Sequence, residues 1–138
     1  MRRIFFDTNV MIDQFDTSRK GHRAVALLEQ CMEKNGAQPL CAWHSLSIIE
    51  YVGAKVFEKA DLYELLHSIV ANYVIPPSGS EQAKDAFNYL QNDYEDALQI
   101  ATAVKGNADF IVTNDKSGFT KSPIPVMTPE ECAETLQS

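Results

Sequence analysis

Arg3-Ile4-Phe5-Phe6-Asp7 is an apolar run of strand length that stops at a carboxylate. An unbroken run of this kind, rather than an alternating one, marks a strand buried on both faces, as in a parallel sheet covered by helices. Pro39-Leu40-Cys41-Ala42-Trp43 reads as a second such run, and Phe110-Ile111-Val112-Thr113, ending in Asn114-Asp115, as a third. Ile124-Pro125-Val126-Met127 reads as an edge strand, because proline cannot donate within a central ladder. Between these runs the apolar period becomes helical, through Ala24, Leu27, Leu28, Cys31 and Met32, and again through Leu62, Leu65, Leu66, Ile69, Val70 and Tyr73. Capping-box spacing marks helix starts at Asp61 with Glu64, Ser78 with Glu81, and Thr128 with Glu131 behind Pro129. Pro76-Pro77-Ser78-Gly79-Ser80 reads as a loop. The fold class is α/β: a mostly parallel sheet in the middle of a three-layer α/β/α sandwich.

The chain has 138 residues, 45% of them hydrophobic, enough for one domain over residues 1–138 with a sizeable core. Twelve Lys and Arg against 19 Asp and Glu give a net charge of −7, which excludes a general nucleic-acid coat held by phosphate neutralisation. A nuclease survives that argument, since the four positive charges of two divalent ions would bring −7 to −3. Cys31, Cys41 and Cys132 show no CxxC spacing and read as reduced core thiols of a cytoplasmic protein. The apolar stretch behind Arg2 and Arg3 is too short for a signal peptide or membrane span.

Asp7 and Asp115 each follow a strand run, at the carboxyl end where open α/β sheets bind ligands. Either alone also reads as a turn or helix cap. Glu50 falls on the stripe Leu46, Ile49, Gly53, Val56 and Phe57, which places its carboxylate on the face that meets the core. Asp96 falls in the first turn of a helix continuing through Ile100, Ala103 and Val104, with Asp93 as N-cap and Glu95 facing solvent. If Asp7, Glu50, Asp96 and Asp115 converge, repulsion is severe: two like charges ~4 Å apart cost about 4 kcal/mol at an effective dielectric of about 20. Such a cluster needs protons or hard cations, Mg²⁺ or Mn²⁺, and a pair of ions about 3.5–4 Å apart suits in-line displacement at phosphorus. The histidines His22, His44 and His67 lack metal-ligand spacing.

The ordered motifs Phe5-Phe6-Asp7-Thr8-Asn9-Val10, Glu50 in a helix, Asp96-Ala97-Leu98-Gln99-Ile100-Ala101-Thr102-Ala103, and Ile111-Val112-Thr113-Asn114-Asp115 together resemble the PIN domain family. The resemblance spans residues 3–119 and is nearest to the VapC-like toxin branch. It implies an endoribonuclease acting on single-stranded RNA with Mg²⁺ or Mn²⁺, a homodimer, and inhibition by a small antitoxin. It further implies that Asp7, Glu50, Asp96 and Asp115 are the catalytic metal ligands, directly or through water, with Asn9 and Thr113 as polar supports. Asn114 departs from the basic residue often found before the last Asp.

RNA would meet the basic segments around Arg19, Lys20 and Arg23 and the loop that starts at Lys116. The stripe from Leu62 to Tyr73 reads as core packing, with a dimer or antitoxin groove as its alternative. Trp43 and His44 read as a packed strand end, with base stacking as theirs. Two other functions compete: a haloacid-dehalogenase-like phosphatase with Asp7 as nucleophile, which expects Asp where Asn9 stands, and a PIN-like module that binds without catalysis.

Overall fold

The computed structural model describes all 138 residues. Four strands, β1 (Arg3–Phe6), β2 (Gln38–Leu40), β3 (Phe110–Val112) and β4 (Val126–Met127), form one sheet in the order β2-β1-β3-β4. Every pairing is parallel. Seven helices follow in chain order: α1 (Thr8–Phe15), α2 (His22–Asn35), α3 (Ser45–Gly53), α4 (Lys59–Asn72), α5 (Ser80–Asp85), α6 (Tyr94–Lys105) and α7 (Pro129–Gln137). Two 3-10 turns, Ala86–Tyr89 and Lys116–Phe119, flank α6 and β3.

The period of two along β1 divides the core. Ile4 and Phe6 enter one cluster with Val10, Met11, Val25, Leu28, Ile49, Val112 and Cys132, so α1, α2, α3 and α7 cover that face. Phe5 points the other way, into a cluster with Leu40, Ile100, Ala103, Ile111 and Phe119 beneath α6. These layers explain why the strand runs are apolar without alternation: both faces of β1 and β3 are covered. β4 lies at the edge as expected but is shorter than the run Ile124–Met127: Pro125 precedes the strand, its carbonyl accepting from Ile111 N–H. All three cysteines are buried and unpaired, and burial pushes the Cys41 thiol up to about 12 and Cys132 up to about 11.

Helix starts were legible to different degrees. Thr128 caps α7 as the spacing predicts, its hydroxyl accepting from Glu131 N–H at 3.1 Å while Glu131 Oε1 accepts from Thr128 N–H at 2.9 Å. α5 begins one residue later than expected, with Gly79 at the N-cap and the Gln82 side chain accepting from its N–H. α4 begins at Lys59, so Asp61 sits inside the first turn, where the helix dipole favours it without any capping bond. The α4 stripe does pack on the core through Leu62, Leu65, Leu66, Ile69 and Tyr73, but Val70 turns outward. Beside it α1, α2 and β2 complete a groove of about 680 Å³. No helix is long and apolar enough to cross a membrane.

Because Thr128 satisfies an otherwise unpaired N–H of a helix packed against α2, Thr128→Ala should cost about 1 kcal/mol, lowering the melting temperature by about 3 °C. Thermal unfolding followed by circular dichroism measures it, and an unchanged melting temperature refutes the cap's contribution.

Candidate active site

Asp7 follows β1 at the N-cap position of α1, yet its side chain makes no cap bond. The register explains what it does instead. Phe6 pairs with Val112, and Asp7 N–H extends the ladder to Val112 O, so Asp7 stands level with Thr113 on the neighbouring strand. The Thr113 hydroxyl donates to Asp7 Oδ2 at 2.8 Å, and Gln99 Nε2, from α6, donates to Oδ1 at 3.0 Å. Gln99 also accepts from Thr8 N–H at 3.1 Å, which uses both ends of a fully buried amide. Asp7 is 5% exposed, and burial pushes its carboxyl above the ordinary carboxylate range, opposed by the Gln99 and Thr113 hydrogen bonds. A carboxylate pinned through both oxygens in this way is poorly disposed to act as the attacking group of an aspartyl-phosphate enzyme.

Asp96 is far from Asp7 in sequence but near enough in space for the Asp7 charge to act on it. It occupies the first turn of α6 behind the N-cap Asp93, whose side chain accepts from Glu95 N–H at 2.6 Å. Its carboxyl is raised to about 7, first by burial, then by the charges of Asp7, Glu95, Asp93 and Asp115. Gly118 makes this position tenable: a Cβ there would overlap the Asp96 carboxylate, so the 3-10 turn after Asp115 closes on Asp96 only because it carries glycine.

Two expectations are corrected. Glu50 does not face the core: Ser45, Ile49 and Gly53 form the buried line of α3, and Glu50, one residue or about 100° beyond Ile49, is exposed. The helix ends at Gly53, so Val56 and Phe57 do not continue the stripe that was to carry Glu50 inward. Glu95, expected to face solvent, instead turns toward the site. Its Oε2 lies 2.7 Å from His44 Nε2 and 3.4 Å from the Thr8 hydroxyl, and its charge raises both Asp7 and Asp96. Gln99 was also missed as a functional side chain; its only signal was a polar residue at i+3 from Asp96, on the face that continues into the core.

Asp115 takes the capping alternative, accepting from Ser117 N–H at 3.0 Å and Ser117 Oγ at 2.6 Å, which hold its carboxyl below the usual range. Thr113 reaches it too, since the same hydroxyl that serves Asp7 accepts from Asp115 N–H at 3.1 Å. Asn9 is exposed on α1 and faces Asp7 through its backbone N–H rather than its side chain. Asn114 donates to buried Asp13 at 2.5 Å. Among the basic candidates, Arg19 is committed to Asp13 at 2.6 Å and Lys116 to Glu131 at 2.5 Å, whereas Lys20 and Arg23 are exposed and make no ion pair.

The donors are carboxylate oxygens, the set that hard divalent cations select. No three acidic, histidine or cysteine side chains stand at ligating spacing. The residues fit a divalent ion in three respects: a buried, hydrogen-bonded Asp7, an Asp96 whose charge is disfavoured by neighbouring acids, and a glycine that leaves room for its carboxylate.

The family model of the PIN domain matches residues 3–117. The chain belongs to the PIN domain family. Ribonuclease VapC1 of Aquifex aeolicus (strain VF5) is similar at 29% identity over 137 residues, covering 96% of this chain and 94% of that protein. Among solved structures, a toxin-antitoxin complex from Klebsiella pneumoniae superposes with a TM-score of 0.67 at 24% identity, covering 93% of this chain and 98% of that one. VapBC-1 from nontypeable Haemophilus influenzae superposes with a TM-score of 0.68 at 8% identity, covering 92% and 98%. In this PIN domain the charges of Asp7, Glu95, Asp96 and Asp115 act on one another at the sheet edge, and Glu50 is exposed on α3.

The raised carboxyl of Asp96 sets the sign of a pH dependence. Its ordinary value is 3.8 and its folded value about 7, so between these the folded protein holds a proton that the unfolded chain has lost. Stability of the metal-free protein should fall as pH rises from about 4 to about 7. Asp96→Asn should melt higher than wild type at pH 8 and equally at pH 4, with a residual slope from Asp7. Identical pH profiles for the two proteins refute the electrostatic reading.

Proposed function

We propose that this PIN domain is a divalent-metal-dependent endoribonuclease that cleaves single-stranded RNA by two-metal-type phosphodiester hydrolysis, and that it is the toxin of a toxin-antitoxin pair. The observation that carries the reading is a buried Asp7 carboxylate, held by Gln99 and Thr113, with Glu95 and Asp96 near enough at the carboxyl edge of the sheet for their charges to act on one another. Such an arrangement costs stability unless a cation offsets it. Similarity to Ribonuclease VapC1 over almost the whole chain supports the activity. The complexes among the solved neighbours support a small antitoxin as partner, and a homodimer belongs to the same reading.

Asp7, Asp96, Asp115 and Glu50 would hold Mg²⁺ or Mn²⁺, directly or through water, and Glu95, whose charge acts on both Asp7 and Asp96, joins that proposed set. When bound, the ion lowers the pKa of water and offsets the charge of the phosphate. The chain's own residues supply order. Gln99 and Thr113 fix the Asp7 carboxylate from opposite sides, and Thr113 ties the Asp115 backbone to the same point. Asp96 would hold a cation only in its deprotonated form, so cleavage should rise with pH through neutrality. His44, bonded to Glu95, holds that carboxylate over Thr8.

The test is cleavage of end-labelled, mixed-sequence single-stranded RNA with Mn²⁺, Mg²⁺ or EDTA. Wild type should cut with either metal and not in EDTA, and Asp96→Asn should not cut. Silence of wild type with every metal, with no co-purified protein on it, refutes the nuclease reading. Glu50 is exposed and unpartnered, so Glu50→Gln should leave the melting temperature unchanged while reducing cleavage; full activity would remove Glu50 from the site. Gly118→Ala should displace the Asp96 carboxylate and lower the cleavage rate about a hundredfold in a folded protein, and an undiminished rate would show that Asp96 does not need its present position.

A further inference from the structure

Trp43, expected to end a strand in packed surroundings, is 66% exposed. Five aromatic side chains stand out from this surface, and four have a partner. Lys55 lies over Tyr51 at 4.5 Å, Lys59 over Tyr63 at 5.8 Å, and Phe87 and Tyr94 pack together at 5.1 Å. The Trp43 indole has neither an aromatic nor a cationic neighbour of this kind.

Its place in the fold is specific. β1 and β2 run parallel with Phe5 beside Leu40, so the turn through Trp43 emerges at the sheet edge that carries Asp7 and Thr8. The two residues that follow are bonded to the acidic site: His44 Nε2 to Glu95 Oε2 at 2.7 Å, and Ser45 Oγ to Thr8 Oγ1 at 2.6 Å. The turn is thus anchored on the cluster while the indole is left in solvent.

Charge supplies little affinity for RNA in a chain this acidic. The chain carries −7, Arg19 and Lys116 are already neutralised by Asp13 and Glu131, and only Lys20 and Arg23 of the basic candidates remain exposed and unpaired. Stacking of a base on an indole needs no net charge and tolerates any sequence, because every base has a π face. A phosphate held at the carboxylates brings its own bases within one nucleotide of the site, and an unpartnered ring at the lip is placed to receive one.

We propose that Trp43 is the stacking platform for a nucleobase of the single-stranded RNA substrate adjacent to the phosphate being cleaved. This rests on the ribonuclease reading above. Trp43 is the only tryptophan, so its emission reports on this position alone. The experiment titrates wild type with a mixed-sequence single-stranded RNA labelled for anisotropy, in Ca²⁺ to hold the phosphate without turnover, and measures cleavage kinetics in Mn²⁺ for wild type, Trp43→Ala and Trp43→Phe. Saturable quenching should track the anisotropy. Trp43→Ala should raise KM about tenfold or more with kcat within about twofold, and Trp43→Phe should recover most of the loss. Because the ring is exposed, both variants should melt as wild type does.

RNA bound by anisotropy with tryptophan emission unchanged overturns the stacking and leaves the ribonuclease reading standing. Neither binding nor cleavage of RNA overturns both. Unchanged RNA kinetics in Trp43→Ala, with emission altered only by a protein partner, assigns the ring to a protein interface and overturns the proposal as well.

Discussion

The Asp7 carboxylate is the point on which the rest of this structure depends. It is buried at the end of a central strand, and a buried charge is tolerated only where neighbouring groups bond to it or where it becomes neutral. Gln99 and Thr113 supply the bonds, one from the helix above the sheet and one from the adjacent strand. Those two donors commit α6 and β3 to fixed positions relative to β1. α6 then brings Asp96 and Glu95 with it, and β3 brings Asp115. Holding one carboxylate correctly therefore assembles the others around it, at an electrostatic cost.

The same economy appears in the loops at this edge. Thr113 serves Asp7 through its hydroxyl proton and the Asp115 backbone through its lone pair. Asn114, next in the chain, donates to Asp13, which also takes Arg19, so the loop after α1 and the loop after β3 are joined through one buried acid. Two side chains that the sequence offers as RNA contacts, Arg19 and Lys116, are engaged in holding the protein together. Lys20 and Arg23 stay exposed and unpaired, and the Trp43 ring stands in solvent where the turn after β2 leaves the sheet.

Legibility differed between Glu50 and Glu95 for a geometrical reason. In both cases the question was which side of a helix a carboxylate takes, and the helical period answers it only if the helix's extent and its packed face are known. The period continued through Val56 and Phe57 in sequence but the helix stopped at Gly53, and the face covered by α1 ran through Ser45 and Ile49 instead. Glu95 looked like a first-turn acid favoured by the helix dipole, and it is one, but His44 and Thr8 arrive from elsewhere in the chain to bond it. Thr128 and Asp93 were readable because caps involve only residues two or three apart.

The sequence by itself determined the layers: apolar runs without alternation required strands covered on both faces, amphipathic stretches between them required helices, and carboxylates after two of the runs put a candidate site at the carboxyl edge. These are local properties of the chain, set by period and by what each residue can bury. Only the tertiary structure decided which acids meet. The register that sets Asp7 level with Thr113, the glycine that lets a turn close on Asp96, and the exposure of Trp43 depend on residues far apart in sequence, whose distances exist only once the sheet is assembled.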